Sequence, residues 1–384
     1  MIKLKNTPEQ IELVKAIGSK DPATSRQAQE AFASAIGPVI QIVLEQAGTS
    51  SLIYVDMPFQ EDESPSYPLD LYYNEGVGFI QVWSQTIAGG LPTNDVRGNA
   101  EMKIATYTLN SAVSFLKKYA RKSNLNVLAK AVERMLQEVL LKQERTGWSV
   151  IMAALGQASS LVNGVATTHT VPAQNLGIFQ MEDLNQMMTK MKRINASFAG
   201  GTAITPYSKG ITDLFVSPEV KAQIRAFAYQ PMNTRPGPTV AGSTLSAYTA
   251  TTAVPLPDAV REAIFNGAGT QEIYGVQITE LNELGKNQKY DLLFSQYATG
   301  NIAPNITAAN LGPYVYGTDE VVVGLDLSRD AFIRAVATDS DNSSTFSVIP
   351  DDQFFLRQEK VGFWGAVEEG RVCIDSRAVI GLIM

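Results

Sequence analysis

The first fifty residues place apolar side chains at helical spacing. Thr7-Pro8-Glu9-Gln10 offers an N-cap, a Pro at the first helical position and an early acid, and Ile11, Leu13, Val14 and Ile17 follow before Gly18. After the Asp21-Pro22 break a second helix starts near Ala23 and runs through Phe32, Ile36, Ile40 and Val43. This segment is short for a domain, so it reads as an arm that must pack on something else. From about Phe59 to Met102 the pattern changes to short β-type runs punctuated by Gly and Pro, among them Leu71-Tyr72-Tyr73 and Val77 to Trp83. Met102 to Thr108 is strand-like, and Ser111 to Tyr119 reads as a short helix. The longest amphipathic pattern comes next: Leu125, Leu128, Ala129, Val132, Leu136, Val139 and Leu140 share one face while Lys130, Glu133, Arg134, Glu138 and Lys142 cover the others. It predicts a helix from about Ser123 to Thr146 that can continue past Gly147 to Leu155.

Between Leu176 and Ala298 helices and strands alternate, as in an α/β or α+β unit. Met181 to Ala196 is a helix with a Met stripe, Asp213 to Val216 a short buried strand, and Ser217-Pro218-Glu219 the cap of a helix from Val220 to Ala228. A Pro/Gly/Thr-rich loop spans Pro231 to Pro257, the strand Tyr274 to Glu280 precedes Tyr290 to Phe294, and a second polar stretch covers Gly300 to Gly312. Near the C-terminus Phe354-Phe355-Leu356, Val361 to Trp364 and Val372-Cys373-Ile374 read as strands. Glu369-Gly370 reads as the dipeptide of a tight hairpin, and Ser376 to Met384 as an apolar run ending inside a sheet.

With 384 residues and 45% hydrophobic composition the chain can bury a core as one large or two intertwined domains. No window has the length of a membrane span, and the N-terminus lacks a signal-peptide apolar segment, so a cytoplasmic origin is expected. Cys373 is the only cysteine and His169 the only histidine. Those counts exclude an intrachain disulfide, a Cys-based zinc site, and the His-dependent nucleophile and metal sets that need more than one imidazole or an acid partner in place. The net charge of −7 argues against sequence-independent nucleic-acid binding through a basic patch. Nearly all of that charge sits in one stretch, where Glu61, Asp62, Glu63, Asp70, Glu75, Asp95 and Glu101 face only Arg97. An extended acidic excursion of this kind buries little of itself and is kept where it packs on another subunit.

Searches for chemistry end on bland readings. No phosphate-binding loop or dinucleotide fingerprint occurs. Asp339-Ser340-Asp341-Asn342-Ser343 begins like a calcium loop, but Ser344 stands where glycine is needed and Pro350 where the bidentate Glu belongs, so a solvated turn is the reading. His169 is expected at a loop position, hydrogen-bonded to backbone, and Cys373 as a small buried hydrophobe. Met181, Met187, Met188 and Met191 fit a core or interface stripe, and Glu368-Glu369 a hairpin tip facing water. No cofactor and no metal is expected.

The order of these segments resembles the tailed-phage capsid fold, the HK-ninety-seven fold, over nearly the whole chain. The segments that most resemble major capsid proteins are Met102 to Asn110, Leu214 to Val220 and Phe354 to Trp364. The resemblance implies an α+β fold with residues 1–52 as an N-terminal arm and 59–102 as an extended E-loop hairpin. It makes 53–58, 103–170 and 321–384 a P domain with a long spine helix and a β-sheet, and 171–320 a mixed α/β A domain. It further implies a major capsid protein that self-assembles as hexamers and pentamers into an icosahedral shell enclosing phage DNA without specific binding. The implied partners are copies of itself, a portal, a separate scaffolding protein, and a decoration or cement protein; no membrane is involved. Localisation would be the virion, after assembly in a host bacterial cytoplasm. Inter-subunit contacts are expected at Glu61, Asp62, Glu63 and Trp83, with Lys117, Lys118, Arg121 and Lys122 of an adjacent subunit meeting the acidic loop.

Some relatives crosslink an E-loop lysine to a neighbour's asparagine, but no lysine occurs between Phe59 and Met102, so that bond is not expected. The fold-like sequence begins within some fifty residues of Met1, which points to a separate scaffolding protein rather than a cleaved leader. Two rival classes stay open: an encapsulin-like bacterial compartment shell, told apart by a cargo enzyme inside, and a soluble α/β enzyme working through carboxylates alone.

Overall fold

The computed structural model describes residues 8–46, 48–60, 63–68, 101–122, 125–162, 165–175, 177–196, 210–227, 258–266, 272–298, 314–338, 346–351 and 359–384. The expected runs at 71–73, 77–83 and 354–356, the loops at 231–257 and 300–312 and the turn at 339–344 lie outside these residues. In chain order the elements are α1 (Pro8–Ile17), α2 (Pro22–Gln46), α3 (Ser50–Ile53), β1 (Val55–Gln60), β2 (Ser66–Pro68), β3 (Glu101–Lys103), β4 (Tyr107–Leu116), α4 (Lys117–Arg121), α5 (Leu125–Gln157), β5 (Ser159–Val162), β6 (Val165–Thr168) and β7 (Thr170–Pro172). They continue with α6 (Met181–Ala196), β8 (Asp213–Val216), α7 (Pro218–Ala226), α8 (Asp258–Asn266), β9 (Gln277–Glu280), α9 (Lys289–Tyr297), β10 (Val321–Leu325), β11 (Phe332–Thr338), β12 (Ser347–Asp351), β13 (Lys360–Cys373) and β14 (Val379–Ile383). The chain divides into two compact units, the first of Met1–Leu71, Arg97–Gly147 and Phe332–Val372, the second of Tyr72–Val96, Trp148–Ala331 and Cys373–Met384.

In the first unit β1, β11, β13 and β12 lie side by side in that order, and β4 pairs with β13 as well. The β4–β13 ladder is antiparallel over ten residue pairs, from Leu116↔Lys360 to Tyr107↔Glu369. Alternation along β4 turns Leu109 and Phe115 inward and leaves Thr108, Asn110, Ala112 and Ser114 exposed. The inward face packs with Val361, Phe363 and Val367 of β13, with Phe32, Ile36 and Ile40 of α2, and with Val132, Met135 and Leu136 of α5. The arm helices therefore find their apolar cover on the chain's own sheet, with Phe32 and Phe363 ring centroids 5.3 Å apart.

Three sequence expectations are corrected here. Residues 111–116, read as the start of a helix, continue β4, and the helix is only Lys117–Arg121; a ten-pair ladder to β13 outweighs weak local helix preference. Glu369-Gly370 is not a hairpin tip, because β13 runs unbroken from Lys360 to Cys373. Gly370 is there for close approach: a Cβ on it would stand 2.7 Å from the Ala105 carbonyl oxygen. Tyr274-Gly275, read as strand, is a two-residue turn with φ of 53° and 81°, and β9 starts at Gln277.

The second unit is built on a five-stranded sheet ordered β7-β14-β10-β8-β9. β10 is central, antiparallel to β14 and to β8, while β7 and β9 add parallel strands at the two edges. Every residue of β10 and β14 is buried, as strands covered on both faces require. Helix α6 lays Met181, Leu184, Met187 and Met191 into the core with Leu214, Val216, Val322, Ile380 and Leu382; the Met stripe is core, as its spacing implies. Asp183 in the first turn of α6 accepts from the Gln180 amide at 2.9 Å, and Ser217 Oγ caps α7 by accepting from the Val220 amide at 3.1 Å. Helix α5, 33 residues long, rises about 50 Å, well past the length the pattern guaranteed. Among the described residues no helix is long and apolar enough to cross a membrane.

Candidate assembly surface

The acidic excursion is closed by a short stem. β2 pairs antiparallel with β3, Ser66↔Lys103 to Pro68↔Glu101, which brings Pro68 and Glu101 side by side. Glu63 is exposed just before this stem, with its amide donating to the Gln60 carbonyl at 2.9 Å. Glu61, Asp62 and Trp83 lie outside the described residues.

The four basic residues singled out in the sequence do not form one face. Lys117 is buried, and burial, followed by the charge of Arg121, lowers its pKa against the pull of Glu359. Lys118, Arg121 and Lys122 are exposed, although Arg121 Nε also donates to the Gly18 carbonyl at 2.9 Å and ties α4 to the end of α1. The structure thus leaves Lys118 and Lys122 as the outward-facing cations and gives Arg121 a structural duty in addition.

A charge network in the first unit had no sequence signal. Glu369, fully buried, accepts from Arg334 Nε at 2.8 Å, from the Tyr107 hydroxyl at 2.9 Å and from Gln143 Nε2 at 3.1 Å. Arg371 Nε lies 3.4 Å from its other oxygen, with the guanidinium stacked 5.0 Å from the Tyr54 ring centroid. Arg334 also reaches Asp56 at 3.3 Å. Burial raises the Glu369 pKa, but Arg371, Arg334 and Tyr107 outweigh it and hold the carboxyl below its ordinary range. Next to it Glu144 accepts from Thr49 Oγ1 and from the Ser50 amide, both at 2.8 Å, and so anchors α3 to α5. Side chains from five elements, β1, β4, α5, β11 and β13, converge here, and none of their local sequences shows it. The network is buried apart from the half-exposed Asp56, and Arg371 Nε and Nη1 make no hydrogen bond in it; the mutual pairing of Glu369, Arg334, Tyr107 and Gln143 suits a fixed joint.

The residues considered for chemistry are likewise committed. His169 is fully buried between β6 and β7; its Nδ1 lies 2.9 Å from the Ser376 carbonyl and 3.1 Å from that of Val379, and its Nε2 2.7 Å from Ser160 Oγ. Burial lowers its pKa, so the ring is neutral, donates through Nδ1 and accepts the Ser160 hydroxyl. Backbone bonding was expected; the Ser160 partner was not. The Cys373 thiol is pushed up to about 12 by burial, which removes thiolate reactivity. Asp291 is fully buried, and burial, with the charges of Glu320 and Asp319, pushes its pKa up to about 7 against the opposing pull of the Tyr314 hydroxyl and the Val321 backbone. Among the described residues no cluster of three or more His, Cys, Asp or Glu could hold a metal ion.

No protein-family profile matches the chain, and no curated protein matches it. Among solved structures it is similar to the SrpI encapsulin of Synechococcus elongatus, at 10% identity and a TM-score of 0.43 over 88% of each chain. It is similar to the capsid of the cyanophage P-SCSP1u, at 12% identity and a TM-score of 0.45 over 86% of each chain. A third likeness is to the capsid of an empty GTA particle, at 11% identity and a TM-score of 0.47, covering 88% of this chain and 90% of that one.

Proposed function

We propose that this chain is a shell subunit, the major capsid protein of a tailed double-stranded-DNA phage, which assembles as hexamers and pentamers into an icosahedral shell. The observation that carries the reading is the β2–β3 stem. It closes an excursion whose surroundings, residues 59–102, hold seven acidic side chains and one basic one. A three-pair ladder is too short to be stable alone, so a neighbouring copy is the support this reading expects. In this reading residues 59–102 are the E-loop and 1–52 the arm. The P domain comprises 53–58, 103–170 and 321–384, and the A domain 171–320. The acidic loop meets Lys118, Arg121 and Lys122 of an adjacent copy, Lys117 being buried within its own chain. Many modest contacts repeated by symmetry then stabilise the shell. Packaged DNA is enclosed without specific binding, and a portal, a separate scaffolding protein and a decoration protein are the further partners. The shell forms in the host cytoplasm and ends in the virion.

The test is electron microscopy and sedimentation of the purified full chain at moderate salt. Closed particles, or free hexamers and pentamers, support the reading; a monomer at high concentration, with or without a phage scaffold, sinks it. Particles containing a cargo enzyme in place of DNA would shift it to an encapsulin-like compartment. Turnover abolished by a single Asp or Glu substitution would revive the enzyme class.

A further inference from the structure

Tyr274 is a large aromatic side chain held in the wrong place for its own chain. It sits at φ 53°, followed by Gly275 at φ 81°, in a turn closed by Ile273 N to Val276 O at 3.0 Å and Val276 N to Ile273 O at 2.9 Å. Such mirror-image turns favour Asn, Asp or Gly, because a Cβ at positive φ costs on the order of 1 kcal/mol. Both flanks, Ile273 and Val276, are buried in the second unit's core, yet the Tyr274 side chain is 57% exposed. More than half of the strained residue's surface is thus left to solvent. Strain kept at a rigid, exposed aromatic tip is what a contact residue requires.

The same sheet carries a receptor at its other edge. An open groove of about 450 Å³ lies between β7 and α6, with Val171 and Pro172 as its apolar floor and Glu182, Gln186 and Lys190, one helical turn apart, along its wall. A strand cannot add to this edge. His169 and Ala173 bond to β14, so Thr170 and Pro172 face outward; Pro172 has no amide hydrogen, and Lys190 Nζ occupies the Thr170 carbonyl at 2.7 Å. A side chain with an apolar body and a hydroxyl tip suits the groove, with Glu182 and Gln186 able to accept from the hydroxyl.

We propose that Tyr274 of one copy seats in the β7–α6 groove of the next. The proposal rests on the shell reading and names one of its interfaces. Tyr274 precedes β9 at one edge of the sheet, and the groove borders β7 at the opposite edge, about 19 Å away across four strand spacings. The contact cannot close within one chain, and it is head-to-tail, the type that builds rings when the rotation closes.

The experiment uses the full chain with Tyr274→Asn, which removes the tip while suiting the turn, and Thr189→Trp, which fills the groove from an exposed position. Thermal melts, sedimentation velocity and electron microscopy are read together. Each variant alone is expected to melt no lower than wild type and to need about tenfold more protein to assemble, as loss of an interface anchor does. Mixed below the concentration at which either assembles alone, they are expected to give a heterodimer, because the intact tip of one fits the intact groove of the other and no further copy can add through this contact. Assembly of both variants at wild-type concentration, or a mixture with no heterodimer, overturns the contact and leaves the shell reading standing. A wild type that never assembles overturns both. Should Tyr274→Asn fail to fold, Thr189→Trp tests the same contact from the other side.

Discussion

Arg334 of β11 holds Glu369 of β13 at 2.8 Å, both side chains almost wholly out of water, at the point where the sheet of the first unit meets α5 through Gln143. Arg371 has that one carboxylate as its ion-pair partner, while Arg334 also reaches the half-exposed Asp56 at 3.3 Å.

Glu369→Gln is therefore expected to destabilise the chain by about 3–5 kcal/mol, since it leaves the buried Arg371 guanidinium without its counter-charge and Arg334 with only the half-exposed Asp56. Urea unfolding of the two proteins measures it. The pH dependence has a definite sign. With its folded pKa depressed, Glu369 contributes fully above the ordinary Glu range and loses that contribution as pH falls through the lowered value. Wild type should lose stability on acidification below about pH 4.5, and the variant should lose less.

Gly147 reverses a common rule. In a helix interior Gly→Ala ordinarily gains roughly 0.5–1 kcal/mol, but a Cβ on Gly147 would collide with Arg371 Nη1 and come within 3.1 Å of Ser50 Cβ. Gly147→Ala should lower the melting temperature instead of raising it. A rise would mean that Arg371 moves aside freely and that the network is looser than its geometry.

Asp291 should make the second unit less stable at neutral than at mildly acid pH. Its folded pKa of about 7 lies above the unfolded value near 4, so between the two the folded chain keeps a proton that the unfolded chain has released, and stability falls as pH rises through this window. Asp291→Asn should match wild type near pH 4 and exceed it at pH 8 by about 1–3 kcal/mol, because the amide cannot ionise whereas the wild-type carboxyl must carry its charge out of water. Chemical denaturation at both pH values decides it; equal curves at pH 8 would mean that Asp291 finds a partner.

Lys190 guards the β7 edge, and burial lowers its pKa to about 8. Because the unfolded value lies near 10.4, the unfolded chain binds the extra proton between the two, and stability should rise with pH across that interval. Lys190→Met should abolish this rise. It should also cost about 1 kcal/mol near pH 7.5 through the lost bond to the Thr170 carbonyl. An unchanged slope in the variant would place the titration elsewhere.

The longer amphipathic helices were legible in the sequence because their information is local. The 3.6 period of α1, α2 and α5, the Ser217 cap and the Met stripe of α6 each depend on residues a few positions apart. Charge crowding at 59–102 is local too. Of the expected contact residues, Lys118 and Lys122 keep an open face, while Lys117 is buried and Arg121 is shared with Gly18, a distinction that requires knowing where α1 ends up.

What only the tertiary structure decided are the features made by partners far apart in the chain. Glu369-Gly370 has the letters of a turn, yet pairing with β4 and the charges of Arg334 and Arg371 turn it into the middle of a buried strand. Ser111 to Leu116 is a strand because β13 arrives beside it, and Tyr274 is an exposed tip because Ile273 and Val276 are held in a core built by remote strands. The sequence by itself determined the long amphipathic helices, where acid accumulates and which chemistries lack residues, since each is a property of neighbours or of counts. Register, burial of charge and the placing of a tip and a groove on opposite edges of one sheet belong to the fold, because each depends on which distant strand supplies the missing partner.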